Sequence, residues 1–286
     1  MSAVSHRGTA AAVRTGAAAV GRHPDPGPGA DHRGWIRRHR LPIFFVLAFG
    51  LSWLPWPLVL LNPASSPMVP FGPLLAAIIA ALLSGGWRSL ARLLGQLGHW
   101  RAAPSRYLAA SLVPVLVTGA AASITVASGG TIAPSPTLDR TQVLTVFATT
   151  LVLVGLFEEV GWRGYAFPAL QRTMGSLRAA LVIGVVWVLW HLPLLLSDPT
   201  RQRPVVPFVL LVIAQSLFFS WLYTSDKAGL VLVILSHAVV DTVARYVLPQ
   251  FSGADYQLVW WCQAGLWMLV GVTAATQLVR NRASRP

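Results

Sequence analysis

The stretch QVLTVFATTLVLVGLFEEV, residues 142–160, opens with sixteen residues that carry no charge and closes on the adjacent pair Glu158 and Glu159. A run of this length and apolarity is what a bilayer core of about 30 Å asks of a helix. In lipid, every backbone polar group needs a partner within the structure. With no barrel-like alternation in view, the run reads as a membrane-spanning helix.

Outward from it, the chain is a series of similar runs broken by Pro, Gly and Arg. Eight spans are predicted: 42–62, 68–86, 107–127, 142–160, 179–197, 206–224, 228–248 and 258–279. Short turns such as Ser225–Ala228 make neighbours antiparallel. The fold class is therefore an all-α polytopic membrane protein of about eight helices. Composition agrees: 55% of the 286 residues are hydrophobic and 11% charged, with a mean hydropathy of +0.61. A soluble domain carries about 25% charged residues, so a soluble fold is excluded.

The division of the chain follows. Residues 1–40, rich in Ala, Gly, Arg and Pro, read as a disordered cytoplasmic tail that lacks the apolar stretch of a signal peptide. Residues 41–280 form the membrane domain, with a motif-bearing core at 142–248, and 281–286 are a second short tail. Within WRSLARLLGQLGHW, Trp87, Leu90, Leu93, Leu94, Leu97 and Trp100 recur at helical spacing. This predicts an amphipathic interfacial helix over 87–101. No internal repeat of the transporter type is visible.

The net charge of +13 rests on 21 Arg and Lys227 against nine acids. Basic residues of membrane proteins gather on the cytoplasmic side. With the amino terminus inside, eighteen basic residues fall in inner segments, and four, Arg140, Arg201, Arg203 and Arg245, in outer ones. Both termini are thus expected in the cytoplasm, and the charge reads as membrane-flanking rather than nucleic-acid-binding. The Arg and Ala bias fits a GC-rich bacterial genome, hence a bacterial plasma membrane. Cys262 is the single cysteine and excludes an internal disulfide.

Ionisable groups at bilayer depth are costly and functional by default. This chain concentrates them in spans four, five and seven. Glu159 and Arg163 stand four apart and share a helix face, as do His237 and Asp241; Glu158 points about 100° away from Glu159 and is left free. Trp187 lies one turn before His191 and sets an aromatic wall beside its imidazole. By depth, Glu158 falls near the inner end of its span, and His237 and His191 lie about 14 and 18 Å in from theirs. Convergence in an inward-opening cavity is expected.

A carboxylate and an imidazole flanking a water make a general base, and a second imidazole can donate to a developing oxyanion. No activated Ser or Cys nucleophile stands out, so attack by water is favoured. The same two His with carboxylates are also a set for a divalent metal such as zinc. Pro193 is expected to kink span five. Trp162 and Tyr165 read as interface-belt or packing residues.

These motifs, E-E-x-x-x-R at Glu158, Glu159 and Arg163, aromatic-x-x-x-H at Trp187 and His191, and H-x-x-x-D at His237 and Asp241, resemble in order those of the CAAX protease and bacteriocin-processing enzyme family. These intramembrane endopeptidases include the type II CAAX prenyl protease. The resemblance covers residues 157–241. It implies Glu158 as catalytic base, His191 as its helper on the water, His237 with Asp241 beside it at the oxyanion, and Glu159, Arg163 and Trp187 as structural support. It also implies a peptide or membrane-protein substrate. Family members are described either as metalloproteases or as metal-free glutamate enzymes. The metal-free form is expected here, with no cofactor. The alternative ligand set is Glu158, His191, His237 and Asp241. Two departures stand out: Trp187 where the family often has Phe, and Asp241 where eukaryotic members have Asn. Ionised Asp cannot donate to an oxyanion. The competing readings are a proton-coupled transporter and a non-proteolytic scaffold or immunity factor on the same fold.

Overall fold

The computed structural model describes residues 28–62, 64–133, 139–197 and 203–283. Helices account for the architecture: α1 (Pro28–Trp53), α2 (Gly72–Gly95), α3 (Pro104–Ala127), α4 (Arg140–Met174), α5 (Ser176–Trp190), the short α6 (Leu192–Leu196), α7 (Val205–Ser225), α8 (Gly229–Val247) and α9 (Gly253–Ala283). Among the described residues, seven of these are long and apolar enough to cross a membrane; α5 is apolar but shorter. The chain is an all-α polytopic membrane protein.

In lipid, helices associate through close packing and small residues rather than through expulsion of water. The principal contacts follow that rule. α1 lies along α2, where a Cβ on Gly72 would stand 2.5 Å from the Ala48 carbonyl oxygen. α9 lies along α7 at Gly271 and Ala214, and α5 crosses α7 at Gly184 and Ser216. α3 packs against α8 and α9.

Four features depart from the sequence reading. α1 begins at Pro28, so residues 28–40 of the segment read as a disordered tail are helical and lead into the first span; residues 1–27 lie outside the described residues. α9 likewise continues to Ala283, into the segment read as the second tail.

Span four does not end at 160. α4 runs for 35 residues to Met174, through the stretch 161–174 taken as loop. Gly161, Arg163 and Gly164 read as loop-like, but packing buries all three, the glycines against Pro73 and Leu93 of α2 and Arg163 against Trp187 and Phe219. The helix stops where Gly175 takes φ 82°, a left-handed conformation that favours glycine. Arg163 therefore leaves the inner loop for the helix interior.

Span five is cut short. α5 ends at Trp190, only about 22 Å long at 1.5 Å per residue. Pro193 lacks the N–H that would continue the ladder, and its ring excludes a helical carbonyl four residues back. The Trp190 carbonyl at the helix end accepts from Trp53 Nε1 at 2.9 Å.

The stripe at 87–101 does not face one way. Gly86, at φ 61°, kinks α2 ahead of it. Leu90 and Leu93 are buried in the protein, whereas Trp87 and Trp100 are 77% and 60% exposed. Gln96 donates to the Gly164 carbonyl and accepts from the Tyr223 hydroxyl, tying the segment to α4 and α7. Trp162, between Phe44 and Trp190, is a packing residue.

Candidate active site

The paired glutamates occupy an unusual stretch of backbone. Phe157–Glu159 is a three-residue α-helical segment between two π-helical ones, Leu151–Leu156 and Val160–Ala166. Such wide turns inside helices are frequent at functional sites. The helix is held on both sides by backbone contact. A Cβ on Gly155 would lie 2.6 Å from the Ile234 carbonyl of α8, and one on Gly161 would lie 2.5 Å from the Pro73 carbonyl of α2. These two contacts, three residues before Glu158 and three after, set its height and rotation.

Glu159 and Arg163 form the expected pair. Arg163 Nη1 donates to both oxygens of Glu159, at 2.9 and 3.0 Å, and both side chains are fully buried. The guanidinium also faces the rings of Trp187 and Phe219, 4.7 and 5.2 Å from their centroids. Glu159 does more than was expected of it. His237 Nδ1 stands 2.8 Å from Glu159 Oε1. The carboxylate already balances Arg163 and is the acceptor, so the imidazole carries its proton on Nδ1 and points Nε2 away. His237 is thus oriented by Glu159 across the α4–α8 contact.

Glu158 is buried but not free. Trp187 Nε1 donates to its Oε2 at 2.9 Å. This corrects the view of Glu158 as lacking a partner. The sequence placed an aromatic wall at Trp187; the indole N–H as a donor to a carboxylate 29 residues away was not legible there. Trp187 is the hub of the site. Its ring lies 5.7 Å from that of His191 and 5.2 Å, edge-on, from that of His237. Its backbone carbonyl accepts from His191 Nδ1 at 2.7 Å. A carbonyl cannot donate, so His191 carries its proton on Nδ1 and keeps Nε2 as a lone-pair acceptor. The helix break after Trp190 places His191 at the end of α5, half-buried beside Phe208.

Glu158 lies within Coulombic range of His237 and Asp241. Asp241 is half-buried one turn beyond His237 on α8. The expected convergence of Glu158, His191 and His237 around one point therefore takes the form of three groups gathered on Trp187. Their depth differs from expectation. Glu158 stands near the middle of α4, not close to an end.

The four-residue ligand set is not gathered as a metal centre. Among the described residues, no three His, Cys, Asp or Glu side chains are placed to hold a metal ion.

Comparison with known proteins covers this same region. The family model described as type II CAAX prenyl endopeptidase Rce1-like matches residues 140–243, which run from the start of α4 to just past Asp241. A curated relative, CAAX prenyl protease 2 of Methanococcus maripaludis, is 29% identical over 99 residues, 32% of this chain and 36% of the relative. The chain thus matches about a third of that protein's length. Residues 140–243, which carry the three motifs in family order on an all-helical membrane fold, are thus similar to the type II CAAX prenyl endopeptidases.

Proposed function

We propose that the protein is an intramembrane endopeptidase that hydrolyses a peptide bond with water activated by Glu158 and His191. One observation carries this reading: a buried carboxylate, positioned by an indole N–H, shares that indole with two imidazoles whose Nδ1 atoms are engaged by Glu159 and by the Trp187 carbonyl. Glu158 takes a proton from the water, with His191 Nε2 accepting a hydrogen bond from it. The hydroxide adds to the scissile carbonyl carbon. His237 steadies the resulting oxyanion from Nε2. It donates there only as the imidazolium, for which Glu159 is the counterion. The C–N bond then breaks, and Glu158 returns its proton to the leaving amine. Glu159, Arg163 and Trp187 position these groups. No step in this scheme calls on a cofactor. The partners are a peptide or membrane-protein substrate and the surrounding lipid.

The test is a comparison of membrane-associated peptides from cells producing the wild type and the Glu158→Ala variant at equal levels. Uncleaved precursors that accumulate only with the variant support the endopeptidase. Identical peptide populations would favour a transporter or a non-proteolytic scaffold instead.

A further inference from the structure

Three helices part where α3 begins and α7 ends, and leave a slot between them. α3, α7 and α9 line a cavity of about 820 Å³, and none of its lining residues belongs to the site around Trp187. Each helix contributes two turns: Arg106 to Val113 on α3, Phe218 to Ser225 on α7 and Val270 to Gln277 on α9. At 1.5 Å per residue, two turns make the slot about 10 Å deep. One leaflet of a bilayer core about 30 Å thick is about 15 Å, so the slot runs through most of it. Ala109 and Ala274 leave its width, and Leu269, 67% exposed on α9, leaves it open to lipid.

The two ends of the slot differ chemically. The deep end is apolar, formed by Val113, Phe218 and Val270. Arg106, Ser225 and Gln277 stand at the mouth, level with the helix ends. For helices that cross a bilayer, this is the headgroup level. The exposed Trp100 just ahead of α3 fits it, since tryptophan gathers at that boundary.

Arg106 is half-buried, with its guanidinium over the Trp221 ring, 5.0 Å from the centroid. No acidic residue lines the slot, and among the described residues no carboxylate pairs with Arg106. Stacking on the indole holds the plane of the guanidinium and leaves its N–H edge for an anion such as a phosphate. The segments bordering the mouth, 100–106, 225–228 and 277–280, hold Arg101, Arg106, Lys227 and Arg280 against Asp226 alone. Asp226 accepts from the Ala228 N–H of its own turn. Basic pockets between membrane helices hold anionic headgroups in this way.

Chain and charge together define the occupant. A soluble anion would leave the apolar slot empty, and a bare hydrocarbon would leave Arg106 without a counterion. We propose that the slot between α3, α7 and α9 binds an anionic phospholipid, with its phosphate on Arg106 and an acyl chain between Val113, Phe218 and Val270. Bound there, the lipid ties the ends of three helices together. α7 connects it to the site: Phe218 lines the slot, and Phe219, next in the chain, faces Arg163, Trp187 and His237. Lipid binding here is independent of any chemistry at Glu158.

The test is thermal unfolding and native mass spectrometry of the full chain, delipidated in a neutral detergent, with added phosphatidylglycerol, phosphatidylcholine or inorganic phosphate. Phosphatidylglycerol should raise the unfolding midpoint and stay on the chain as a single bound lipid, since a ligand that binds only the folded state stabilises it. Arg106→Gln should weaken that binding by roughly tenfold or more. Arg88→Gln, on α2, is the control and should leave it unchanged. Ala109→Phe fills the slot and should abolish binding; if that variant does not fold, Leu269→Trp, at an exposed position on the same wall, reads the same slot. An equal shift and equal retention with phosphatidylcholine overturns the assignment, as does binding unchanged in Arg106→Gln or in the slot-filling variant. An equal shift with inorganic phosphate would make this a site for a soluble anion and overturns the lipid. A lipid-free dimer that Leu269→Trp dissociates would make this face an interface between copies and overturns it too.

Discussion

His237 Nδ1 lies 2.8 Å from Glu159 Oε1, on a carboxylate whose two oxygens also receive Arg163 Nη1. One buried anion thereby joins α4 to α8 and sets the tautomer of an imidazole at the site. Removing one partner of a fully buried ion pair leaves a charge uncompensated, at a cost of about 3–5 kcal/mol. Glu159→Gln should accordingly lower the midpoint of thermal unfolding in detergent and lower activity as well. Glu158→Gln keeps the shape and removes only the base, so it should abolish turnover with an unfolding midpoint close to wild type. Equal thermal loss in both variants would dissolve this division of labour.

Trp187→Phe tests the indole N–H without removing the ring against which both imidazoles pack. Losing a hydrogen bond to a charged group costs about 1.5–3 kcal/mol. The variant should lose roughly tenfold or more in kcat with KM little changed, because Glu158 is less well placed. A kcat equal to wild type would show that the Trp187–Glu158 bond does not position the base.

Asp241 separates a metal-free mechanism from a metal-dependent one. Without metal, Asp241→Asn should keep or raise activity, since Asn donates a hydrogen bond that ionised Asp cannot. A strong chelator should then leave the wild type unaffected. Metal analysis of the purified protein is the companion measurement. About one zinc per chain, with activity lost to chelator and restored by zinc, would decide for the metal. Weaker zinc binding in Asp241→Asn would point the same way.

Gly155 and Gly161 test how the α4 backbone is seated. Alanine at either would press a Cβ to within 2.6 or 2.5 Å of a main-chain oxygen that cannot yield by changing rotamer. Each Gly→Ala should destabilise by about 1–3 kcal/mol, as overpacking of a tight contact does. Gly119→Ala on α3, with nothing within 4 Å, is the control and should be neutral or mildly stabilising. Unchanged unfolding of Gly161→Ala would mean that α2 and α4 do not approach this closely.

Much of the protein was legible from one dimension because the relevant physics is local. A long run of apolar residues specifies a helix in lipid whatever its neighbours are, since its backbone can be satisfied only within itself. The Glu159–Arg163 pair was legible for the same reason: residues four apart meet on any helix. Reading Gly161 to Gly164 as loop failed because glycine and arginine break or expose a helix unless neighbours cover them; α2 covers the glycines, and Trp187 and Phe219 cover Arg163.

The tertiary structure decided what lies between helices. Trp187 reaches Glu158 across 29 residues of chain, and Glu159 reaches His237 across 78. Such partners are set by where backbones cross, and Gly155 and Gly161 permit those crossings without announcing their partners in sequence. The π-helical turns around Glu158 and the stop of α5 at Trp190 likewise depend on packing from outside the segment. Depth follows from these lengths. Once α4 extends to Met174 and α5 ends at Trp190, Glu158 stands near the middle of its helix and His191 just past the end of its own. Apolar runs and charge counts determine that the chain crosses the membrane and which end carries the basic residues. They do not determine which side chains close over a polar site, because that depends on where the helices cross.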